Sequence, residues 1–479
     1  MDMQDCAISC ALVVLPKLYL FYSWAIASAQ KSARLYEDTM NHRAAEQLKI
    51  LANSENNDLE VDPFSSLEIR GIFFRNRVIK AATYEALCDN AGIPLDGLAD
   101  FHAKMAQGGS SMCIVAYGSV SPGGRSFPTQ LVCREEALAG MTRITDAIHA
   151  YGSVACLQLT HAGYFSDRSL SEDKSRHGQM SAQTIFNPAA FNFCRKMTSQ
   201  DMAEVTASFV AAARCAVKAG FDCLEIHCGH GYLLSQFLSP KLNPGVSLAD
   251  RLKFPCEVLR QVRQAVGGGT VVMVKMNAVD GVEGGLGGVE SCVIAEAFAE
   301  CAVDIIGISG GLILENGLFM LRGEVPLLRM VEASVDAIKG MALRVFGPII
   351  IPKIEFSELY FRLPALCVQR VLRAWNAKQV KTKGRGRAGR VYVCIMGGVH
   401  SYDSLCQATV HDGFDFIQSG RATLFDSNIV NQWRDMHVGG RPTRKHRENV
   451  SGCTKCNMCI VDATMRQQPV TCIEWEKLY

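Results

Sequence analysis

The chain has 479 residues, 48% of them hydrophobic, so it can bury a large core as one big α/β domain or as two ordinary ones. Its 49 basic and 47 acidic side chains leave a net charge of +2, which excludes a global attraction to nucleic acid and favours a small-molecule ligand. The 20 cysteines lack the regular spacing of a secreted disulfide scaffold, so we expect reduced thiols and a cytoplasmic protein.

The first predicted element is the apolar stretch Cys6–Ala29, which is long enough to cross a bilayer. Pro16 and Lys17 interrupt it, and a central lysine costs about 2.5–3.5 kcal/mol on membrane-insertion scales. Asp2 and Asp5 stand where a signal peptide carries basic residues. Three interpretations stay open: a helix that contacts a membrane, an extra helix packed on the fold, and a segment absent from the working protein.

Residues 31–58 are polar and helical in pattern and end in NSENND, which indicates a linker. We therefore take residues 1–58 as an N-terminal helical extension, made of an apolar helix and a polar linker.

From residue 59 to residue 479, short apolar runs alternate with helical stretches, which is typical of βα units around a parallel sheet. Near-continuous hydrophobicity implies burial on both faces, and eight such runs predict a closed (β/α)₈ TIM barrel. The predicted strands are Val78–Ala82, Met112–Ala116, Val154–Leu159, Cys223–His227, Val271–Met276, Asp304–Ser309, Val391–Met396 and Phe414–Ser419. An open doubly wound sheet is the alternative, but no G-x-G-x-x-G follows the first strand.

Met202–Ala219 and Cys256–Val266 are predicted as two of the helices between the strands. Strands six and seven are unusually far apart, and Lys378–Arg390 between them reads KQVKTKGRGRAGR. Such a run cannot pack a core, so it predicts a basic surface insertion at about residues 374–390, with a polyanion-binding tail as the alternative.

The strand that begins at Cys223 ends in polar groups, in the sequence EIHCGHGY. Strand alternation sends Cys223, Glu225 and His227 to one side, with His230 and Tyr232 on the loop that follows. The loops after the strands build the active site of a TIM barrel. Two imidazoles there can donate to one oxyanion-like oxygen while a phenol delivers a proton. A structural histidine pair and a zinc site are the alternatives.

At these residues the chain resembles the Old Yellow Enzyme-like NADH:flavin oxidoreductases, whose pattern includes E-I-H-x-x-H/N-G-Y-L-L-x-x-F-L-S-P. Further matching segments occur in the family's order. They are RNRVIKAATYEAL, LQLTHAG, VKMN, GISGG, IMGGV and GFDFIQSGRA. The resemblance extends over about Asp62–Cys472. The chain is also similar to the N-terminal barrel of the 2,4-dienoyl-CoA reductases, which form a branch of this family. It implies an FMN cofactor across the mouth of the barrel.

Several residues would hold that cofactor if the resemblance holds. Gln158 has an amide that suits the N3–H and C2=O edge of the flavin ring, and Lys275 would place a positive charge beside N1, although it could instead pair with Glu225. Ala82 and Thr83 match the segment at the flavin edge, where a shift of one residue would substitute Tyr84.

The resemblance also implies a phosphate site in the loops after strands seven and eight. Gly397, Gly398 and Gly420 would let backbone N–H groups approach the phosphate, and Arg421 would supply a cation.

The implied reaction takes a hydride from NADH or NADPH through flavin N5 to an electron-poor alkene such as an α,β-unsaturated carbonyl. His227 and His230 would hold the carbonyl oxygen, and Tyr232 would protonate the α-carbon. The alternatives are a degenerate FMN- or ligand-binding barrel without turnover and a dienoyl-thioester reductase assisted by an iron–sulfur cluster.

The sequence departs from the family after FLSP, where KLNPGVSLADRLKFP lacks the usual acidic, aromatic and Gly-Gly core. The structure of that loop is therefore not predicted from the resemblance.

The C-terminal segment 450–479 contains four cysteines, Cys453, Cys456, Cys459 and Cys472. Four thiolates at this spacing could bind an iron–sulfur cluster or zinc. The dienoyl-CoA reductase branch of the family holds a [4Fe–4S] cluster near this position. That branch has one more residue between its second and third cysteines, so a metal site and a metal-free segment both stay open.

Overall fold

A computed structural model describes residues 31, 34, 36–51, 60–170, 179–187, 192–334, 337–351, 353–383, 389–439 and 450–476. The apolar stretch predicted at residues 6–29 lies outside these ranges, so its three interpretations remain predictions. Within the described ranges, no helix combines the length and the apolar character that a membrane span requires.

Eight parallel strands close into a barrel in which each strand pairs with its neighbours in the chain and the last pairs with the first. We label them β1 (Val78–Lys80), β2 (Met112–Ser119), β3 (Val154–Thr160), β4 (Cys223–Cys228), β5 (Val271–Val279), β6 (Ile305–Gly310), β7 (Tyr392–Ile395) and β8 (Phe416–Ser419). Each predicted strand overlaps one of these, so the (β/α)₈ TIM barrel is confirmed.

Helices cover the outside of the barrel. The main ones are α1 (Asp96–Gln107), α2 (Leu138–His149), α3 (Ser199–Lys218), α4 (Leu248–Val266), α5 (Gly288–Glu300), α6 (Arg362–Lys383), α7 (Tyr402–Cys406) and α8 (Ile429–Gly439). Further helices occur at Leu233–Leu238, Ile313–Asn316, Leu327–Ala333, Ala337–Ile350, Arg421–Phe425, Met458–Thr464 and Ile473–Glu476. A small sheet of Met180–Ser181, Ile185–Asn187 and Asn192–Lys196 lies in the β3–α3 connection.

The strands alternate between the barrel interior and the helix layer, as predicted for β4. Cys223 packs in the interior cluster with residues such as Met273, while Leu224 and Ile226 join the cluster under the helices. A hairpin of Leu67–Ile69 and Ile72–Phe74 adds apolar side chains to the interior cluster. It closes the barrel at the N-terminal ends of the strands. The apolar filling at that end leaves the opposite end for polar groups.

Helix α4 begins earlier than the sequence predicted. The prediction started at Cys256 because Pro255 normally ends a helix, yet α4 continues through Pro255 from Leu248. The Ser247 side chain accepts a hydrogen bond from the backbone N–H of Asp250 at 3.2 Å and caps the first turn. Burial of neighbours such as Phe254 offsets the hydrogen bond that the proline cannot make.

The predicted basic insertion is wrong in its first half. Helix α6 extends to Lys383, so residues 374–383 are helical rather than a loop. Residues 384–388 lie outside the described ranges. Arg390 donates to Asp415 at 2.6 Å and stacks on Tyr392, with its guanidinium carbon 4.7 Å from the ring centroid. At least one of the run's arginines is therefore bound to the barrel.

Within residues 31–58, which the sequence predicted to be polar and helical, residues 36–51 form a helix that packs on the barrel. Met40 and Ala44 are buried. The Ala44 carbonyl accepts from the Cys367 thiol of α6 at 3.5 Å, and Gln47 donates to the Cys292 sulfur of α5 at 3.4 Å. This helix therefore belongs to the outer layer of the barrel, while the division at residue 58 stays a prediction.

The docking of helix 36–51 can be tested with Ala44→Glu. A carboxylate at this buried position has no counter-ion and should lower the free energy of unfolding by roughly 2 kcal/mol or more, measured by urea denaturation. His42→Glu introduces the same side chain at an exposed position of the same helix and should change stability little. Equal effects of both variants would contradict the packed position of the helix.

Candidate active site

A cavity of about 220 Å³ opens at the C-terminal ends of the barrel strands. It is lined by every residue that the sequence proposed for catalysis or for the flavin: Ala82, Thr83, Gln158, His227, His230, Tyr232, Lys275, Gly397, Gly398, Gly420 and Arg421. These residues come from six of the eight strands or the loops that follow them, so the barrel brings them together as predicted.

The floor of the cavity is a hydrogen-bonded group around the fully buried carboxylate of Glu225. One oxygen, Oε2, accepts from Gln158 Nε2 at 2.5 Å and lies 3.0 Å from Lys275 Nζ. The other oxygen, Oε1, accepts from Gln418 Nε2 at 3.1 Å. The sequence left open whether Lys275 contacts the flavin or pairs with Glu225. In the structure it pairs with Glu225 and also lines the cavity, so the two are compatible.

His227 and His230 meet above this floor, with ring centroids 4.9 Å apart and rings nearly perpendicular at 83°. His227 Nδ1 accepts from the backbone N–H of Gly229 at 3.2 Å, so in the neutral ring Nε2 carries the proton. His230 Nε2 lies 2.7 Å from Ser309 Oγ. With Nε2 accepting from that hydroxyl, Nδ1 of His230 carries the proton.

Both imidazoles are held neutral. Burial lowers the pKa of His227 well below its usual value, and the neighbouring charges of His230 and Lys275 lower it further. Burial, followed by the charge of Lys275, lowers the pKa of His230 to about 3. Each ring therefore keeps one N–H donor at neutral pH.

Tyr232 lies against the histidines, with its ring centroid 4.7 Å from that of His227. It directly precedes the short helix Leu233–Leu238, and its carbonyl accepts from the backbone N–H of Gln236 at 2.9 Å. Burial raises the pKa of Tyr232 to about 12, and the hydroxyls of Tyr117 and Ser126 oppose that rise. The phenol thus keeps its proton at neutral pH.

At the end of β1, Thr83 rather than Tyr84 presents an unengaged polar atom. Thr83 Oγ1 is buried and has no hydrogen-bond partner among the described residues. The Tyr84 hydroxyl is 2.8 Å from Thr129 Oγ1 and 3.0 Å from Gln467 Oε1. Of the two registers that the sequence left open, the structure gives the one with Thr83 as the available group.

A second buried carboxylate supports this segment. Glu85 Oε1 lies 3.3 Å from Lys80 Nζ and 3.1 Å from His102 Nε2, and accepts from the backbone N–H of Ala116 at 3.1 Å. Burial lowers the pKa of both Lys80 and His102. This group fixes the ends of β1 and β2 on either side of Thr83.

Gly397 and Gly398 are required by both conformation and space. Their φ angles are 103° and 88°, in the region that favours glycine. A Cβ would lie 2.6 Å from a Phe361 ring carbon at Gly397 and 2.8 Å from the Ser357 carbonyl oxygen at Gly398. The backbone at this end of the cavity is therefore exposed without side chains.

Arg421 lines the cavity but is partly committed to protein groups. Its Nη1 donates to the carbonyls of Leu321 and Arg322, at 3.2 and 2.9 Å, and to Asn457 Oδ1 at 2.7 Å. These bonds join the loop after β6, the start of the helix after β8 and the C-terminal segment.

The four C-terminal cysteines lie around a small cavity behind Arg421. Among the described residues, however, no three His, Cys, Asp or Glu side chains converge in a way that could hold a metal ion. Burial raises the pKa of Cys453, and that of Cys459 to about 12, so these groups are thiols at neutral pH. The geometry does not support the metal assignment of Cys453, Cys456, Cys459 and Cys472.

The loop after FLSP, which departs from the family pattern, is held by Arg251. This buried guanidinium donates to the Leu238 carbonyl and pairs with Glu290 of α5. An arginine on α4 therefore fastens the end of the short helix that carries Tyr232 at its start.

Sequence reasoning missed four residues that line the cavity, Ser309, His400, Gln418 and Lys455. Strand alternation could have identified Ser309 and Gln418, since both face inward near strand ends. No local pattern marks His400 or Lys455, because Lys455 reaches the cavity only through the folding of the C-terminal segment over the barrel mouth.

The Glu225–Lys275 pair can be tested by a double-mutant cycle in denaturant unfolding. Glu225→Gln and Lys275→Met each leave a buried partner unpaired, so each should lower the free energy of unfolding by about 3–5 kcal/mol. The double variant should lose clearly less than the sum, because neither charge then remains. Simple additivity would contradict the pairing.

Comparison with known proteins identifies the family. Residues 63–317 match the NADH:flavin oxidoreductase / NADH oxidase family. A 4,4'-dithiodibutanoate disulfide reductase of Rhodococcus erythropolis is 36% identical over 83% of this chain and 92% of its own. A 2-naphthoyl-CoA reductase has a similar fold, with TM-score 0.67 at 19% identity over 86% of this chain and 58% of its own. An Old Yellow Enzyme homologue from Zymomonas mobilis gives 0.58 at 15% identity, over 81% and 95%. The chain belongs to the NADH:flavin oxidoreductase / NADH oxidase family, as its motifs indicated, and is an oxidoreductase with the Old Yellow Enzyme-like barrel.

Proposed function

We propose that the protein binds FMN and uses NADH or NADPH to reduce an electron-poor alkene such as an α,β-unsaturated carbonyl. When bound, FMN supplies a group that accepts a hydride and gives it up again. The observation that carries the proposal is the convergence of two neutral imidazoles and a protonated phenol over one cavity.

The cavity has polar groups suited to a flavin ring. Thr83 Oγ1 is a buried hydroxyl without a hydrogen-bond partner in the part of the chain that the structure describes. Gln158 gives one N–H to Glu225 and keeps its carbonyl oxygen and second N–H for a ring edge. Lys275 holds its ammonium group 3.0 Å from Glu225 and favours negative charge on a ring beside it. These three side chains would orient the ring across the barrel mouth.

The glycine end of the cavity suits the phosphate of FMN. Gly397 and Gly398 leave the backbone uncovered, and Arg421 brings a cation to the same end. The order along the chain, glycines after β7 and Arg421 after β8, matches the phosphate site of TIM barrels.

His227 and His230 would hold the carbonyl oxygen of the substrate. Each neutral ring has one N–H, and donors aimed at one oxygen stabilise the negative charge that develops there when hydride reaches the β-carbon. The lowered pKa values keep both rings neutral, so each ring donates a hydrogen bond to the oxygen but has no extra proton to transfer to the substrate. The rings would therefore polarise the alkene, and the proton must come from another group.

Tyr232 would supply that proton to the α-carbon. Its pKa of about 12 keeps it protonated until the substrate carbon becomes basic. Its ring packs beside His227, so the phenol and the carbonyl anchor share one substrate position.

Tyr232→Phe should slow alkene reduction by roughly 100-fold or more, the usual contribution of a general acid, while flavin reduction by NADH or NADPH continues at the wild-type rate. Stopped-flow absorbance separates the two half-reactions. Tyr84→Phe removes a hydroxyl elsewhere in the cavity that is tied to Thr129 and Gln467, and serves as the control. Equal loss of both half-reactions in Tyr232→Phe would show that the tyrosine is structural.

The paired replacement His227→Ala and His230→Ala should weaken the binding of phenol ligands to the flavin-loaded protein, because the donors to the phenol oxygen are lost. The charge-transfer band between phenol and flavin measures this affinity. His411→Ala, at an exposed position, should leave it unchanged. Unaltered phenol binding in the paired variant would contradict the role of the histidines as the carbonyl anchor.

Disulfides are a second candidate substrate class, favoured by the resemblance to the Rhodococcus erythropolis reductase over 92% of its length. Cleavage of a disulfide by hydride needs no proton on carbon, so Tyr232→Phe should leave it unchanged. Reoxidation of the reduced protein by 4,4'-dithiodibutanoate and by 2-cyclohexenone, with and without Tyr232→Phe, distinguishes the two classes. Rapid, Tyr232-independent reoxidation by the disulfide alone would favour the second.

A further inference from the structure

Three basic side chains meet around one aromatic ring at the glycine end of the cavity. The Phe356 ring centroid lies 4.9 Å from Lys455 Nζ, 5.8 Å from the Arg421 guanidinium carbon and 5.5 Å from the His400 ring centroid. All three side chains line the cavity beside Gly397. The sequence predicted only Arg421 here.

No ion pair neutralises this group within the described ranges. Arg421 Nη1 bonds to two carbonyls and an amide oxygen, all of them uncharged. The carboxylate of Glu358 accepts from Ser401 Oγ at 3.0 Å and, within the described residues, forms no ion pair with Lys455 or Arg421. Lys455 and Arg421 carry like charges around one ring, so an anion between them would lower their mutual repulsion.

His400 offers the cavity a buried ring nitrogen that donates to an anion when Nε2 carries the ring proton. Its Nε2 is buried and has no hydrogen-bond partner among the described residues, although the residue is only 4% exposed. Burial and then the charges of Lys455 and Arg421 lower the pKa of His400 to about 4. An unpartnered buried nitrogen is costly unless a ligand satisfies it.

We propose that His400, Lys455 and Arg421 form a dianion site for the phosphate of FMN, and that the bound phosphate fastens the C-terminal segment 450–476 to the barrel mouth. This inference rests on the proposed function, and it identifies two phosphate ligands beyond Arg421. Lys455 belongs to the C-terminal segment, whereas His400 follows β7 and Arg421 follows β8. A phosphate bound by all three would therefore join the segment to the barrel.

The segment is also held by an ion pair between Asp462 and Arg329 at 2.9 Å and by uncharged hydrogen bonds. The Ser451 N–H donates to the His400 carbonyl at 2.8 Å, and Asn457 Nδ2 donates to the Leu321 carbonyl at 2.7 Å. A phosphate shared by Lys455 and Arg421 adds charge-assisted bonds that cross from the segment to the barrel.

Affinity measurements with FMN and with riboflavin, which lacks the phosphate, test the site. Lys455→Gln should weaken FMN binding about tenfold and leave riboflavin binding unchanged, as followed by quenching of flavin fluorescence. His400→Gln should act in the same direction. Lys455→Arg should retain FMN affinity, and Lys104→Gln, at an exposed lysine of α1, is the matched control. An unchanged ratio of FMN to riboflavin affinity in Lys455→Gln would overturn the proposal.

Limited proteolysis of the full chain tests the fastening. FMN should protect the segment 450–476 from cleavage, riboflavin should not, and inorganic phosphate alone should protect only at concentrations far above those of FMN. Equal protection by FMN and riboflavin would overturn the fastening role. Failure of both flavins to bind would instead contradict the proposed function, so the two failures are distinguishable.

Discussion

The buried carboxylate of Glu225 is the interaction on which the site depends. A carboxylate in a barrel interior is costly unless it is paired and hydrogen-bonded. Here it accepts hydrogen bonds from Gln158 of β3 and Gln418 of β8 and pairs with Lys275 of β5. Each of these side chains also lines the cavity. The packing of the barrel core thereby sets the positions of the groups that would meet a flavin ring.

Desolvation gives the mouth of the cavity its chemistry. The same burial lowers the pKa of His227 and His230 and raises that of Tyr232. Both shifts favour the neutral forms, so the histidines are donors without acidity and the tyrosine holds a transferable proton. The proposed division between carbonyl anchor and proton donor would thus follow from one desolvated environment.

The sequence predicted the barrel well because its strands are continuous apolar runs, such as Val271–Val279, whose signal is local. It also placed His227, Tyr232 and Lys275 correctly, since strand ends and loops after them define the mouth of such a barrel. It failed where tertiary contacts decide.

Helix α4 runs through Pro255, and the predicted helical segment at 36–51 packs on the barrel through Ala44 and Gln47, which its polar pattern did not indicate. The contribution of Lys455 was also invisible, because a residue far along the chain reaches the cavity only once the C-terminal segment has folded over it.

Whether the protein binds FMN can be tested by the visible absorption spectrum of the anaerobically purified protein. Acid release then identifies the chromophore. We expect flavin bands and the release of FMN by acid. A colourless protein that also fails to take up added FMN would contradict this expectation.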